Sequence, residues 1–252
     1  MICLERREDL CRRGQARADE ERLSGCRFEV ADVLERGRAQ LSADTTAFAL
    51  HACGDLWRTL LDVAADTEAT AIAAPCCYHH LQGARHYSPR SRRAQAGPLS
   101  VSQSELRLSV SEERVARPAI ARARARAEAW RLGLDLLLRE ASGEDEYRPQ
   151  GHLPKALFDL DFETFCHRAA ELMQRDLPKQ WSAERAEAAG WVRGHEVRAL
   201  GLVRAIYRRP MELWQVFDAA LAQVERGREV HVASFCAPHL TPRNLIVLTR
   251  PR

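Results

Sequence analysis

Thr46-Ala47-Phe48-Ala49-Leu50-His51-Ala52-Cys53-Gly54-Asp55 and Ala69-Thr70-Ala71-Ile72-Ala73-Ala74-Pro75-Cys76-Cys77-Tyr78-His79-His80 are the two stretches that decide the fold. Each is a short apolar run that stops abruptly in cysteine, histidine and small or acidic residues. Between them Leu56, Leu60, Leu61, Val63 and Ala64 recur at helical spacing, so the whole segment predicts strand, helix, strand. Its length suits a right-handed crossover between two parallel strands. Sheets of that kind bind ligands beyond the carboxyl ends of their strands, where both reactive clusters fall.

Towards the amino end, Met1 to Leu4 is an apolar run stopped by Glu5. An Arg/Glu-rich helical pattern follows from about Glu8 to Leu23, with Leu10, Ala16 and Leu23 on its inner side, and Gly25 breaks it. Cys26 to Val33 alternates as a strand does and contains Asp32 near its end; a loop or short helix spans Leu34 to Asp44. The first 80 residues therefore predict a parallel α/β sheet.

Towards the carboxyl end, Gln82 to Val101 is rich in Gly, Pro, Ser and Arg and predicts an exposed loop. Ser111-Glu112-Glu113 is one candidate helix start, but Pro118 makes Ala119 the better one, and a long helix then runs to Glu140 and stops at Ser142-Gly143. Its face Ala123, Ala127, Trp130, Leu134, Leu137 and Leu138 is apolar. Helical runs follow from Phe162 to Arg175 and from Ala183 to Ala189. Leu200 to Tyr207 and Met211 to Val224 are helical, split by Pro210, with Trp214, Phe217, Leu221 and Val224 on one face of the latter. Glu229 to Cys236 and Asn244 to Leu248 predict an antiparallel hairpin around Pro238 and Pro242. The domain reading is a core over residues 1–110, a helical insertion or cap over 111–200, and a return to the core over 201–252.

With 252 residues, 46% hydrophobic and 29% charged, the chain has the composition of an ordinary globular protein with a full core. A net charge of +3 sets up no strong field towards nucleic acid or membrane. Lysine occurs only at Lys155 and Lys179, and the rest of the positive charge is arginine. Eight cysteines without framework spacing, no signal-peptide pattern and no run near the ~18 apolar residues of a membrane span lead to the expectation of a cytoplasmic protein with free thiols.

Three motifs, Leu50-His51-Ala52-Cys53-Gly54-Asp55-Leu56, Pro75-Cys76-Cys77-Tyr78-His79 and Leu240-Thr241-Pro242-Arg243-Asn244, resemble class I S-adenosylmethionine-dependent methyltransferases. The wording is that of the methyltransferase-like family related to the methyltransferase region of the glutathione S-transferase C-terminal domain-containing protein. The resemblance implies a Rossmann-like α/β sheet finished by an antiparallel hairpin, with S-adenosyl-L-methionine as cofactor and an RNA or protein acceptor. It also implies that Glu5 binds the cofactor ribose, since two carboxylate oxygens accept both hydroxyl hydrogen bonds. Asp32 would then meet the adenine amino group, with Val33 against the ring and His51 beside the cofactor. The family's first strand and glycine-rich loop, which belong at the centre of the sheet ahead of the Glu5 strand, have no counterpart here. The expectation is an N-terminally truncated chain with an unfilled sheet centre, each unpaired buried backbone group costing roughly 1–3 kcal/mol. A cofactor-free binding or scaffold module on a degenerate fold is the alternative.

Methyl transfer is an in-line displacement, so the protein supplies alignment and, where needed, a base. His51, Asp55, Tyr78, His79 and His80 are candidates to orient an acceptor or take its proton; a neutral-range pKa suits histidine to this. The plainer role for His51 and His79 is hydrogen bonding to backbone. Cys53, Cys76 and Cys77 admit covalent attack on a base, since RNA cytosine-5 methyltransferases also carry cysteines after these two strands. His51, Cys53, Cys76, Cys77, His79, Cys236 and His239 are all zinc-ligand types, but their spacing is no recognised finger, and no metal is assigned.

Overall fold

The computed structural model describes residues 1–36, 41–111 and 117–252. Its chain divides into two units, Met1–Ser111 with Ile206–Arg252, and Glu112–Ala205. The candidate helix start at Ser111-Glu112-Glu113 and the middle of the Leu34 to Asp44 connection fall outside the described residues.

The first unit begins β1 (Ile2–Glu5), α1 (Glu8–Glu20), β2 (Arg27–Val30), α2 (Val33–Arg36), β3 (Thr46–Cys53), α3 (Asp55–Asp66), β4 (Thr70–Cys76), α4 (Arg92–Gln95) and α5 (Gln103–Leu106). The second contains α6 (Pro118–Ser142), α7 (Phe162–Leu172) and α8 (Ala183–Ala205); α9 (Arg208–Glu225), β5 (Glu229–Ser234) and β6 (Leu245–Arg250) then complete the first. β1 pairs in parallel with β2, from Ile2↔Arg27 to Glu5↔Val30, and β3 with β4, from Thr46↔Thr70 to Cys53↔Cys76. β6 lies antiparallel between β4 and β5. The result is a mixed α/β fold with parallel and antiparallel strands. The strands form two sheets, β1-β2 and β3-β4-β6-β5, and among the described residues no strand joins β1 to β3.

Small side chains make the core of this unit tight. Ala47 and Ala52 of β3 and Ala71 and Ala73 of β4 meet Trp57, Leu61 and Ala64 of α3, Val216 and Ala219 of α9, and Val247 of β6. Burying one Leu fully contributes roughly 1.5–3 kcal/mol, and Leu61 is fully covered. β4 is covered along nearly its whole length, as a strand with neighbours on both edges and both faces must be. On β3, which among the described residues is an edge strand of the larger sheet, Phe48 and Leu50 remain 64% and 57% exposed.

Four expectations need correction. The inner face of α1 is Cys11 and Ala18, with Gly14 against the Phe28 ring; Leu23 is exposed and Ala16 lies outward. α9 buries Glu212, Gln215, Val216, Asp218, Ala219 and Gln223, while Phe217, Leu221 and Val224 are exposed. Its polar row is buried with partners that offset the usual penalty, Tyr78 and Arg209 for Glu212, Ser109 for Gln215, the loop after β4 for Asp218 and Asp62 for Gln223 Nε2, while Gln223 Oε1 has none. The helix at Ala183 continues to Ala205, the break falls at Ile206-Tyr207, and Pro210 sits in the first turn of α9, where its missing N–H costs nothing. The loop after β4 is anchored rather than free: Tyr87 and Ser91 are buried. Asp218 accepts hydrogen bonds from Tyr87 Oη, Arg90 N, and Ser91 N and Oγ, all at 2.8 Å or less.

Within the second unit α6 packs on α8 at very close range. A Cβ on Gly190 would lie 2.3 Å from the Ala129 carbonyl oxygen, and one on Gly133 2.8 Å from that of Ala186. Trp130, Leu134, Leu137 and Leu138 of the predicted α6 face join Phe162, Phe165 and Cys166 in the core, whereas Ala123 is exposed. Gly143, at φ 68°, caps the helix in the left-handed conformation, its N–H bonded to the Arg139 carbonyl. No helix among the described residues is long and apolar enough to cross a membrane.

Candidate active site

The carboxyl ends of β1, β2, β3 and β4 converge on one cavity of about 460 Å³, within the roughly 300–1,000 Å³ usual for small-molecule sites. Leu4, Glu5 and Arg6 line it from β1, Ala31, Asp32, Val33 and Leu34 from the end of β2, Cys53, Asp55 and Leu56 from the end of β3, and His80, Leu81 and Gln82 from the loop after β4. Within each parallel pair the carboxyl ends lie together, and the two pairs bring Glu5, Asp32, Cys53 and Asp55 to one hollow. Among the described residues His51, Cys76, Cys77, Tyr78 and His79 are not part of this lining.

Each acid is already oriented by backbone. Glu5 Oε1 accepts from Arg7 N at 3.0 Å, and Asp32 Oδ1 from Leu34 N at 2.9 Å, which starts α2. Asp55 uses both oxygens: Oδ1 accepts from Arg58 Nη1 at 2.9 Å and Oδ2 from Gln82 N at 2.7 Å. It therefore clamps the loops after β3 and β4 together. Arg58 is buried, donates also to the Ser88 carbonyl, and lies 4.4 Å over the Tyr87 ring. The sequence reading missed it; its place three residues after Asp55 on one helix face is the signal that could have found it.

Two backbone distortions shape the strand ends. His51, at φ 55°, sits at the register shift between Leu50 and Ala52, a bulge that makes Ala52 rather than His51 continue the buried face of β3. Its side chain is exposed. Cys77, at φ 45°, turns the chain out of β4. Left-handed φ costs an ordinary residue roughly 1–2 kcal/mol, and such outliers gather at functional sites. Gly54, at φ 55°, has no alternative residue: an added Cβ would lie 1.9 Å from the His80 carbonyl oxygen. Its N–H bonds to the Cys76 carbonyl, and Asp55 N to that of His80.

Tyr78 is a buried strut. Its hydroxyl donates to Glu212 Oε1 at 3.1 Å, and burial, with Glu212 second, pushes its pKa upward. Glu212 in turn binds Arg209 at 2.6 Å. His79 stacks obliquely on His80 with ring centroids 4.3 Å apart, and its buried Nδ1 has no hydrogen-bond partner. Burial first, then His80 and Arg107, lower its pKa, so it is a neutral imidazole at pH 7. Cys53 and Cys76, Sγ atoms 3.2 Å apart, both have raised pKa values, with burial the largest cause. As thiols they are protonated near neutrality, which disfavours unassisted covalent attack.

Residues 1–84 match the family model of a methyltransferase domain. This methyltransferase match runs from β1 into the loop after β4 and contains every residue that lines the cavity, together with His51 and the Cys76 to His79 motif. It supports a methyltransferase, an enzyme that moves a methyl group. No curated protein and no solved structure matched the chain.

Proposed function

We propose that this chain carries the cofactor half of an S-adenosylmethionine-dependent methyltransferase, of the branch that includes the glutathione S-transferase C-terminal domain-containing protein, acting on an RNA or protein acceptor. The observation that carries the reading is the shared cavity, on which two acids from successive parallel strands, Glu5 and Asp32, open beside Val33 and Leu34. When bound, the cofactor supplies an electrophilic methyl on a sulfonium. Glu5 would hold the ribose hydroxyls, Asp32 the adenine amino group, and Val33 with Leu34 the ring faces. His80, on the same wall, and neutral His79 next to it in sequence are the groups fitted to orient an acceptor or take its proton. Asp55 and Tyr78 serve as positioning residues, holding the two strand-end loops.

The break between β1 and β3 is the place where a further parallel strand with a glycine-rich loop would complete the sheet and meet the cofactor's amino acid end. Among the described residues no strand fills the gap between β1 and β3. Isothermal titration of S-adenosylmethionine into the full-length protein tests the reading. It should bind, and Glu5→Gln or Asp32→Asn should each weaken binding by about tenfold, one hydrogen-bonding charge being worth ~1.5 kcal/mol. A full-length protein that ignores the cofactor overturns the reading and leaves the binding-module alternative.

A further inference from the structure

Three thiols meet at the ends of β3 and β4. The Sγ atoms of Cys53, Cys76 and Cys77 all lie within 4.8 Å of one another, with Cys53 and Cys76 at 3.2 Å. Two backbone irregularities are needed for this. Consecutive residues of a regular strand point to opposite faces, so Cys76 and Cys77 could not converge unless Cys77 left the strand, as its φ of 45° makes it do. Likewise the bulge at His51 sets Cys53 directly beside Cys76 in register. Both distortions cost free energy: the bulge keeps Ala52 on the buried face of β3, and together they bring the three sulfurs into one cluster. The spacing suits sulfur donors to one ion: at the ~2.3 Å length of a zinc–sulfur bond, thiolates around it sit just under 4 Å apart.

We propose that Cys53, Cys76 and Cys77 bind a single zinc ion as three thiolates, with the fourth coordination position left for water or an incoming group. Three protein ligands and one open position is the arrangement of reactive rather than purely structural zinc. Binding converts three thiols to thiolates and releases three protons, so affinity rises with pH. Cys53 also lines the cavity, which puts the ion at its wall. The site stands whether or not the cavity takes S-adenosylmethionine.

The test uses the full chain, purified reduced. Titration with zinc chloride against a chromophoric chelator should give one ion per chain, and cobalt(II) in its place should show thiolate-to-metal charge-transfer absorption. Cys53→Ser and Cys77→Ser should each lower zinc affinity by more than about tenfold, while Cys236→Ser leaves it unchanged. If a serine variant fails to fold, alkylation mapping of the unsubstituted chain takes its place: zinc should protect Cys53, Cys76 and Cys77 from iodoacetamide and leave Cys236 reactive. The proposal is overturned by absence of zinc binding with the thiols reduced, by equal affinity in the folded serine variants, by absence of protection, or by a Cys53–Cys76 disulfide that persists in the reduced preparation.

Discussion

At the scale of single residues, chemistry and strain coincide. His51 and Cys77 hold left-handed backbone that glycine would adopt freely, and both sit where a strand gives way to a reactive loop. Replacing His51 with glycine should therefore give a protein about 1 kcal/mol more stable than the alanine variant, since both lose the imidazole but only glycine escapes the Cβ penalty. Paired urea melts measure the difference; equal midpoints would show that the bulge carries no strain. At the same scale Asp55 and Tyr78 are held in place: their polar atoms are bonded to Arg58, Gln82 and Glu212.

At the scale of elements, α9 inverts a familiar rule by burying polar side chains and exposing Phe217. Asp218 is the centre of this, gathering four hydrogen bonds from the loop after β4. Asp218→Asn turns one acceptor oxygen into a donor facing donors, and two bonds are lost together. A loss of about 3 kcal/mol is expected, as buried hydrogen bonds to a charge are worth roughly 1.5–3 kcal/mol each. Chemical denaturation reads it, and a change below about 0.5 kcal/mol, the size of an ordinary surface substitution, would mean that Tyr87, Arg90 and Ser91 are held by something else. Between α6 and α8, glycine does what large apolar residues do elsewhere: Gly133 and Gly190 let two backbones touch.

For the first unit taken whole, the decisive feature is a sheet in two pieces. β4 is paired on both edges, by β3 and β6, whereas among the described residues β1 pairs with β2 alone. Hydrogen exchange should therefore be slow at Ala71 and Ala73 and markedly faster at Cys3 and Leu4, because an open edge unfolds locally at lower free energy. A strand docked between β1 and β3 should slow the β1 amides selectively; uniform protection in its absence would show that the edge is covered. Some of this was legible in the chain itself. Apolar runs with strand or helical spacing determined the parallel pairs, the hairpin, α3 and most of α6, because periodicity is a local property written residue by residue. Tertiary structure alone decided that Asp55 joins Glu5 and Asp32 at one cavity, that Asp55 and Tyr78 are partnered, that α9 turns its polar row inward and that three thiols converge. Those depend on register, on one bulge and on a left-handed turn, and a one-residue shift in pairing redirects every side chain beyond it without leaving a mark in composition or spacing.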